Sequence, residues 1–448
     1  MDKNWAREEA YLILNKIIKN GAYSSIEIRK RLNSSNLERL DKALVTEIVN
    51  GTLRNIIYID WVLKKYSNIR EEKISPNIKN ILRCGAYQII FLDKVPDSAV
   101  CNESVELAKK HGNIGSSKFV NGLLRNIARN KEEIGYPEKS DFVEYLSVKY
   151  SHPAWLVESW LEDYGAEFSE EMMKKNNQVP PLTIRINRTK TDRQKMYECL
   201  KKLGITYTEG LYNEEALNIR GTSSIEDLDI FREGLFAVQD ESSMLTSKIM
   251  NPIPDSLILD VCSAPGGKAA HMAELMNNKG LIIARDIHQH KLALINKTCK
   301  RLGISIVKAE LFDALIIDEN YIGMADGVLV DAPCSGLGLL RRKPDMRWKR
   351  KPADMEELQK LQFEILKNAS LYVKSGGTLV YSTCTLNKKE NIEIVNKFLS
   401  ENKDFYFDNI EDLLPRNLFA PNAKEGYLEL YPNVHNTDGF FISRMIKK

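Results

Sequence analysis

Leu257-Ile258-Leu259-Asp260-Val261-Cys262-Ser263-Ala264-Pro265-Gly266-Gly267-Lys268 runs a continuous apolar strand into a glycine turn. A short unbroken apolar run suits a strand covered on both faces. Gly266 and Gly267 permit a tight turn and close backbone approach, and a helix starting there offers free N–H groups to a ligand. Four further strand cores follow, at 280–284, 304–307, 327–331 and 377–381, with amphipathic stretches between most of them. That alternation predicts a mostly parallel sheet with helices on both faces, an α/β Rossmann-like C-terminal domain over 251–448.

The rest of the chain reads differently. Residues 1–135 carry apolar positions at helical spacing, as in Ala10 to Ile18, Leu40 to Ile57 and Ile78 to Phe91. Breaks at Asn20-Gly21, Ser75-Pro76 and Val95-Pro96-Asp97 divide them into an all-α bundle. Gly135-Tyr136-Pro137 reads as a linker. Residues 140–250 read as a small α+β module: helices up to Pro180-Pro181, then the alternating strand Leu182-Thr183-Ile184-Arg185-Ile186-Asn187, a helix near 191–203, and short strands near 216–219 and 235–239. The expected fold class is therefore multidomain, in three parts.

Composition narrows the function. The chain has 448 residues and a net charge of +3. Residues 1–139 hold 24 Lys and Arg against 17 Asp and Glu, while the remainder is net acidic. A basic half suits a polyanionic partner and equally suits a solvated helical surface. No apolar run approaches the roughly 20 residues of a membrane span, and the first residues lack a signal-peptide core. A cytoplasmic protein with no membrane partner is expected. Seven cysteines, at 84, 101, 199, 262, 299, 334 and 384, include no C-x-x-C pair, so free thiols are expected and no metal site.

In a sheet of this kind, ligands bind beyond the carboxyl ends of the strands where strand order reverses. The loop of Cys262, Ser263, Ala264, Pro265, Gly266, Gly267 and Lys268 lies there. Asp286 ends the second strand, placed to accept hydrogen bonds from ribose hydroxyls. Asp313, after the third strand, is placed to reach an adenine amino group. Ala269 stands where a P-loop needs Ser or Thr, and the dinucleotide fingerprint is incomplete. A ligand with a ribose and no pyrophosphate, S-adenosylmethionine, fits better. Each feature alone is an ordinary α/β turn; the three together favour the cofactor.

Two cysteines end neighbouring strands at the same edge. Cys334 lies in Asp331-Ala332-Pro333-Cys334-Ser335-Gly336 and Cys384 in Tyr381-Ser382-Thr383-Cys384-Thr385. A lone apolar-stretch cysteine is usually a small buried hydrophobe, the reading favoured for Cys84, Cys101, Cys199 and Cys299. A thiol pair beside the carboxylate of Asp331 suits methylation of pyrimidine carbon 5. Thiolate attack on carbon 6 makes carbon 5 nucleophilic, and a carboxyl group stabilises charge in the ring.

These motifs resemble the Sun family of RNA 5-methylcytosine methyltransferases, which use S-adenosylmethionine. The resemblance implies that Cys384 is the nucleophile, that Cys334 assists release of the product, that Asp331 hydrogen-bonds the base and that Lys268 lies near Asp331. DNA cytosine methyltransferases use a Pro-Cys nucleophile, so Thr383-Cys384 argues for RNA. Cys262-Ser263-Ala264 departs mildly from the commoner Ala-Ala. The bundle is similar to the antitermination factor NusB in Asn50 to Arg54, Pro96 to Glu103 and Lys118 to Arg125. Together the two resemblances imply a NusB-like RNA-binding domain over 1–135, a small RRM-like linker module over 140–250 and a catalytic domain over 251–448. The implied substrate is 16S ribosomal RNA, unassembled or partly assembled, and the implied state is a monomer. A transfer-RNA methyltransferase, or a NusB-like factor with an inactive methyltransferase domain, are the alternatives. Thr437-Asp438-Gly439-Phe440-Phe441 reads as the last antiparallel strand.

Basic residues crowd after Cys334: Arg341, Arg342, Lys343, Arg347, Lys349, Arg350 and Lys351, with Trp348 among them. Arginine forks and an indole suit phosphates and stacked bases. Arg341, Arg342, Arg347 and Trp348 are thus expected to grip RNA, with the target cytosine leaving its stack.

Overall fold

In the computed structural model, residues 6–222 and 224–448 are described. They form two compact units, one of residues up to Gln178 with Leu340–Arg350, the other of Val179–Leu339 with Lys351–Lys448.

The first unit is helical: α1 (Ala6–Asn20), α2 (Ser24–Asn33), α3 (Arg39–Arg54), α4 (Ile56–Tyr66), α5 (Pro76–Phe91), α6 (Asp97–His111), α7 (Ile114–Arg129), α8 (Phe142–Tyr150), α9 (Ala154–Tyr164) and α10 (Ala166–Asn176). Each buries one stripe, as α7 does with Val120, Leu123, Leu124 and Ile127. Ser75 caps α5, whose first residue is Pro76, and Asn113 caps α7. Gly51 lets α3 approach α5, since a Cβ there would lie 1.9 Å from the Tyr87 ring.

Helices α8 to α10 depart from the sequence reading, which placed them in a 140–250 module with the strands. They pack in the helical unit: Val148 joins its core, and Ile57 donates its N–H to Ser151 Oγ at 2.9 Å. The linker is packed too, with Tyr136 between Tyr58 and Tyr145. A chain break such as Gly-Tyr-Pro marks a change of direction, not of core.

Leu340–Arg350 is a second departure. Asp345 accepts from Ser24 N and Oγ at 3.1 and 2.6 Å, and Trp348 Nε1 donates to Leu53 O at 2.8 Å. Arg347, 1% exposed, donates to Arg54 O at 2.9 Å, Ser151 O at 3.0 Å, Asn176 O at 3.0 Å and Asn177 Oδ1 at 2.8 Å. Those acceptors are the C-terminal ends of α3, α8 and α10, which carry unsatisfied carbonyls and partial negative charge. Arg341 is also buried and Arg342 half-buried. The expectation that Arg347 and Trp348 grip RNA is corrected: their polar groups serve the helical unit's own interior.

The second unit holds two sheets. The small one orders β1 (Leu182–Ile186), β2 (Thr206–Glu209), β3 (Ala216–Arg220) and β4 (Phe236–Val238) as β2-β3-β1-β4, all antiparallel, with α11 (Arg193–Lys202) and α12 (Asp229–Arg232). Strand β2 escaped the sequence reading because it is exposed and polar. Next, α13 (Glu241–Met250) leads to the large sheet.

That sheet contains β5 (Leu257–Asp260), β6 (Leu281–Asp286), β7 (Val307–Leu311), β8 (Ala325–Asp331), β9 (Val373–Thr383), β10 (Phe405–Phe407), β11 (Tyr427–Leu430) and β12 (Phe440–Lys447). Its order is β10-β12-β9-β8-β5-β6-β7, with β11 on β12. Strands β5 to β9 are parallel, and β12 runs antiparallel to β9. The helices are α14 (Gly267–Leu275), α15 (Gln289–Leu302), α16 (Met346–Lys349, in the first unit), α17 (Pro352–Ser370), α18 (Ile392–Glu401) and α19 (Pro432–His435). The third strand core shifts from 304–307 to Val307–Leu311, because Gly303 turns left-handed and Ile304 N–H closes the end of α15 on Cys299 O. The small sheet braces the large one: buried Arg185 of β1 pairs with Glu274 of α14 at 2.7 Å and reaches Gly267 O at 3.4 Å.

Among the described residues no helix is long and apolar enough to cross a membrane.

Candidate active site

The order of the large sheet reverses between β5 and β8. The carboxyl ends of β5, β6, β8 and β9 therefore frame a crevice at one edge. The glycine loop hangs there from two backbone bonds, Val261 N to Leu329 O and Ser263 N to Arg285 O at 2.8 Å. Gly266 has φ +93° and starts α14, and a Cβ on it would sit 3.1 Å from the backbone of Ile295. Cys262, Ser263, Ala264, Pro265, Gly267 and Lys268 follow this turn. Burial, with the charges of Asp260 and Asp331 adding to it, pushes the Cys262 thiol up.

Asp286 ends β6 and accepts from His288 N at 3.0 Å, with Lys291 at 3.4 Å. Asp313 lies beyond β7 and accepts from Leu315 N at 2.9 Å. Buried Arg285 ties their two loops together. It pairs with Glu310 and Asp318 and lies 4.2 Å over the Phe312 ring.

Asp260, at the end of β5, was missed as a site residue. It looked like one more position in an apolar strand. It is buried, and neither its carboxylate oxygens nor Ser263 Oγ makes a well-aligned hydrogen bond within the protein, although Ser263 and the Cys262 N–H lie near. Burial first, then the charge of Asp331, pushes its carboxyl up to about 7. A buried carboxylate short of well-aligned donors is a place for a ligand that brings donors or positive charge. The loop, the strand-end acids and this orphaned group fit the ribose and cationic end of S-adenosylmethionine.

Asp331 ends β8, opposite Ser382 of β9. Lys268 Nζ lies 2.7 Å from Asp331 Oδ2, and Ser382 Oγ donates to Oδ1 at 3.0 Å. Burial pulls Lys268 down, but Asp331 above all, then Cys384 and Asp260, more than offset it and raise it. Its ammonium also lies 4.9 Å from the Phe440 ring. Cys334 Sγ and Cys384 Sγ are 3.2 Å apart. Cys334 is raised well above a free thiol, first by its hydrogen bond to Cys384 and then by burial. Behind the thiols stand Glu390, Gln362, Ser335 and Thr385, all buried; Ser335 and Thr385 belong to the two thiol motifs, and Glu390 and Gln362 lie outside them. Among the described residues no cluster of three or more His, Cys, Asp or Glu side chains could hold a metal.

Residues 247–446 match the family described as 16S rRNA methyltransferase RsmB/F, 4–129 the NusB family, and 152–226 the ferredoxin-like domain of RsmF/B-like methyltransferases. A probable ribosomal RNA small subunit methyltransferase B of Bacillus subtilis is 40% identical, with 100% of each chain covered. The chain belongs to the RsmB/F family. The small subunit methyltransferase B of Shewanella oneidensis is 33% identical over 91% of each chain. The crystal structure of PH0851 superposes with a TM-score of 0.83 at 26% identity, covering 99% of each chain. That of NSun6 from Pyrococcus horikoshii with SFG gives 0.59 at 26% identity, covering 66% of this chain and 98% of that one. As an RsmB/F member the chain is an S-adenosylmethionine-dependent ribosomal RNA methyltransferase, with a NusB-type helical part and a Rossmann-like catalytic sheet.

Proposed function

We propose that this RsmB/F enzyme methylates carbon 5 of a cytosine in 16S ribosomal RNA through a covalent bond from Cys384 to carbon 6. The observation that carries the reading is the pair of thiols 3.2 Å apart beside the Lys268–Asp331 pair at one strand edge. The two thiols are not equivalent. The contact with Cys384 first, then burial, raises the Cys334 thiol, and the reading takes Cys384 as the thiolate that attacks. Its addition to carbon 6 removes the 5,6 double bond and moves electron density onto carbon 5 and toward N3. Asp331, with Lys268 behind it, meets the charge that develops on the ring. S-adenosylmethionine supplies an electrophilic methyl group when bound. Loss of the carbon 5 proton then restores the double bond and releases Cys384, a step that Cys334 assists.

Residues 262–268 with Asp286 and Asp313 would hold the cofactor. The substrate is RNA whose target cytosine leaves its stack, unassembled or partly assembled 16S RNA, taken up by a monomer with the NusB-like part as an RNA handle. Incubating the protein with 16S RNA, transfer RNA and labelled S-adenosylmethionine, then mapping the label, tests this. Label at cytosine carbon 5 of 16S RNA is expected; label elsewhere, or none, overturns it.

Asp260 makes the cofactor step pH-dependent. Its carboxyl is protonated below about 7 in the free protein. A bound cation favours the carboxylate, so binding releases a proton. Affinity should therefore be full above about pH 7 and fall as pH drops below it, by up to about tenfold per unit. Titration calorimetry across that range checks it. Asp260→Asn should flatten the profile; a wild-type profile that is flat from about pH 6 to about pH 8 contradicts the role.

A further inference from the structure

Glu390 is 0% exposed, and the hydrogen-bond partners of its carboxylate are all neutral donors. Oε2 accepts from Ser335 N at 2.9 Å and Gln362 Nε2 at 2.9 Å. Oε1 accepts from Ser335 Oγ at 2.5 Å and Asn387 Nδ2 at 3.2 Å. Ser335 follows Cys334 directly. With its proton given to Glu390, Ser335 Oγ accepts from Thr385 Oγ1 at 2.6 Å, and Thr385 follows Cys384 directly. Gln362 also donates to Pro333 O at 3.0 Å, on the other side of Cys334. Asn391, next to Glu390, links Thr383 Oγ1 at 2.5 Å with Thr385 O at 3.1 Å, on both sides of Cys384. Each thiol is thus flanked by residues tied to one short segment. A hydrophobic residue would fill this space without the cost of burying a carboxylate.

We propose that Glu390 is a positioning residue that registers the Cys334 and Cys384 loops against each other, so that both thiols face one cytosine. The proposal rests on the two-thiol reading given under the proposed function. Glu390 touches neither substrate nor cofactor; it acts through Ser335 and Thr385. A bidentate acceptor is needed, because donors converge on both oxygens. Glutamine has the same shape but turns an N–H₂ toward donors on one side.

The test compares Glu390→Gln with wild type in the full-length protein, using transcribed 16S RNA and labelled S-adenosylmethionine. The single-turnover methylation rate should fall about 100-fold, the scale of a misplacement near 1 Å. Cofactor affinity, unfolding midpoint and KM for RNA should stay near wild type, which a merely structural lesion would not allow. In a Cys334→Ala background, where the covalent RNA–protein species accumulates, Glu390→Gln should suppress it. A well-folded Glu390→Gln enzyme within about threefold of the wild-type rate overturns the proposal. Should that variant fold poorly, Ser335→Ala decides. It removes the hydroxyl between Glu390 and Thr385, and a rate drop of about tenfold at unchanged stability is expected, while an unchanged rate again overturns the proposal. An adduct that persists in Cys384→Ala sinks the two-thiol reading itself, whatever Glu390 does.

Discussion

Cys384→Ala should abolish methyl transfer, with a loss on the order of 10⁴-fold or more, the scale of removing a covalent nucleophile. No RNA–protein adduct should form. Cys334→Ala should behave oppositely and accumulate the adduct, since bond formation survives and release slows. The asymmetry follows from the thiols' surroundings. Their sulfurs are 3.2 Å apart, so they cannot both carry charge cheaply. The Cys334 thiol is raised, with its contact to Cys384 first among the causes. The Lys268 ammonium, raised in part by Cys384, helps to hold the thiolate. Denaturing gels of enzyme mixed with labelled RNA separate the two outcomes. An adduct in Cys384→Ala and none in Cys334→Ala would reverse the roles.

Arg347→Ala should destabilise the helical unit by about 3–5 kcal/mol, as expected when a buried charge and its partners are parted. The guanidinium satisfies chain ends of α3, α8 and α10 at once, and each orphaned carbonyl costs about 1–3 kcal/mol. Arg347→Lys should not rescue it, because an ammonium lacks the flat fork that reaches three helix ends. Denaturant unfolding of the full chain reads the loss directly. A phosphate-gripping arginine would behave otherwise, lowering RNA affinity and its salt slope while leaving stability within about 0.5 kcal/mol. A stability change that small would restore the RNA role.

The sheet and the glycine loop were legible because they follow local rules. Apolar runs alternate with helices, and Gly266 turns where only glycine sits easily. The strand-end thiols were legible because strand ends share an edge. Their separate roles came from family resemblance. What escaped the sequence was long-range. Arg347 and Trp348 read as part of an RNA-gripping basic loop, since a charge run looks the same whether its partners are phosphates or carbonyls nearly 300 positions away in the chain. Asp260 hid in an apolar strand. Glu390 sat in a plain Lys-Lys-Glu-Asn stretch, and only its burial against Ser335 reveals it.

The segment Leu340–Arg350 also sets a timetable for biosynthesis. The helical unit's first stretch ends at Gln178, yet its last piece is encoded after half the strands of the large sheet, β5 to β8. At about 5–20 residues per second, the interval before Arg350 is made lasts roughly ten to thirty seconds. Through that interval the ends of α3, α8 and α10 have only water to bind. A gene split after Gln178 would yield an amino-terminal fragment that waits indefinitely for its missing plug.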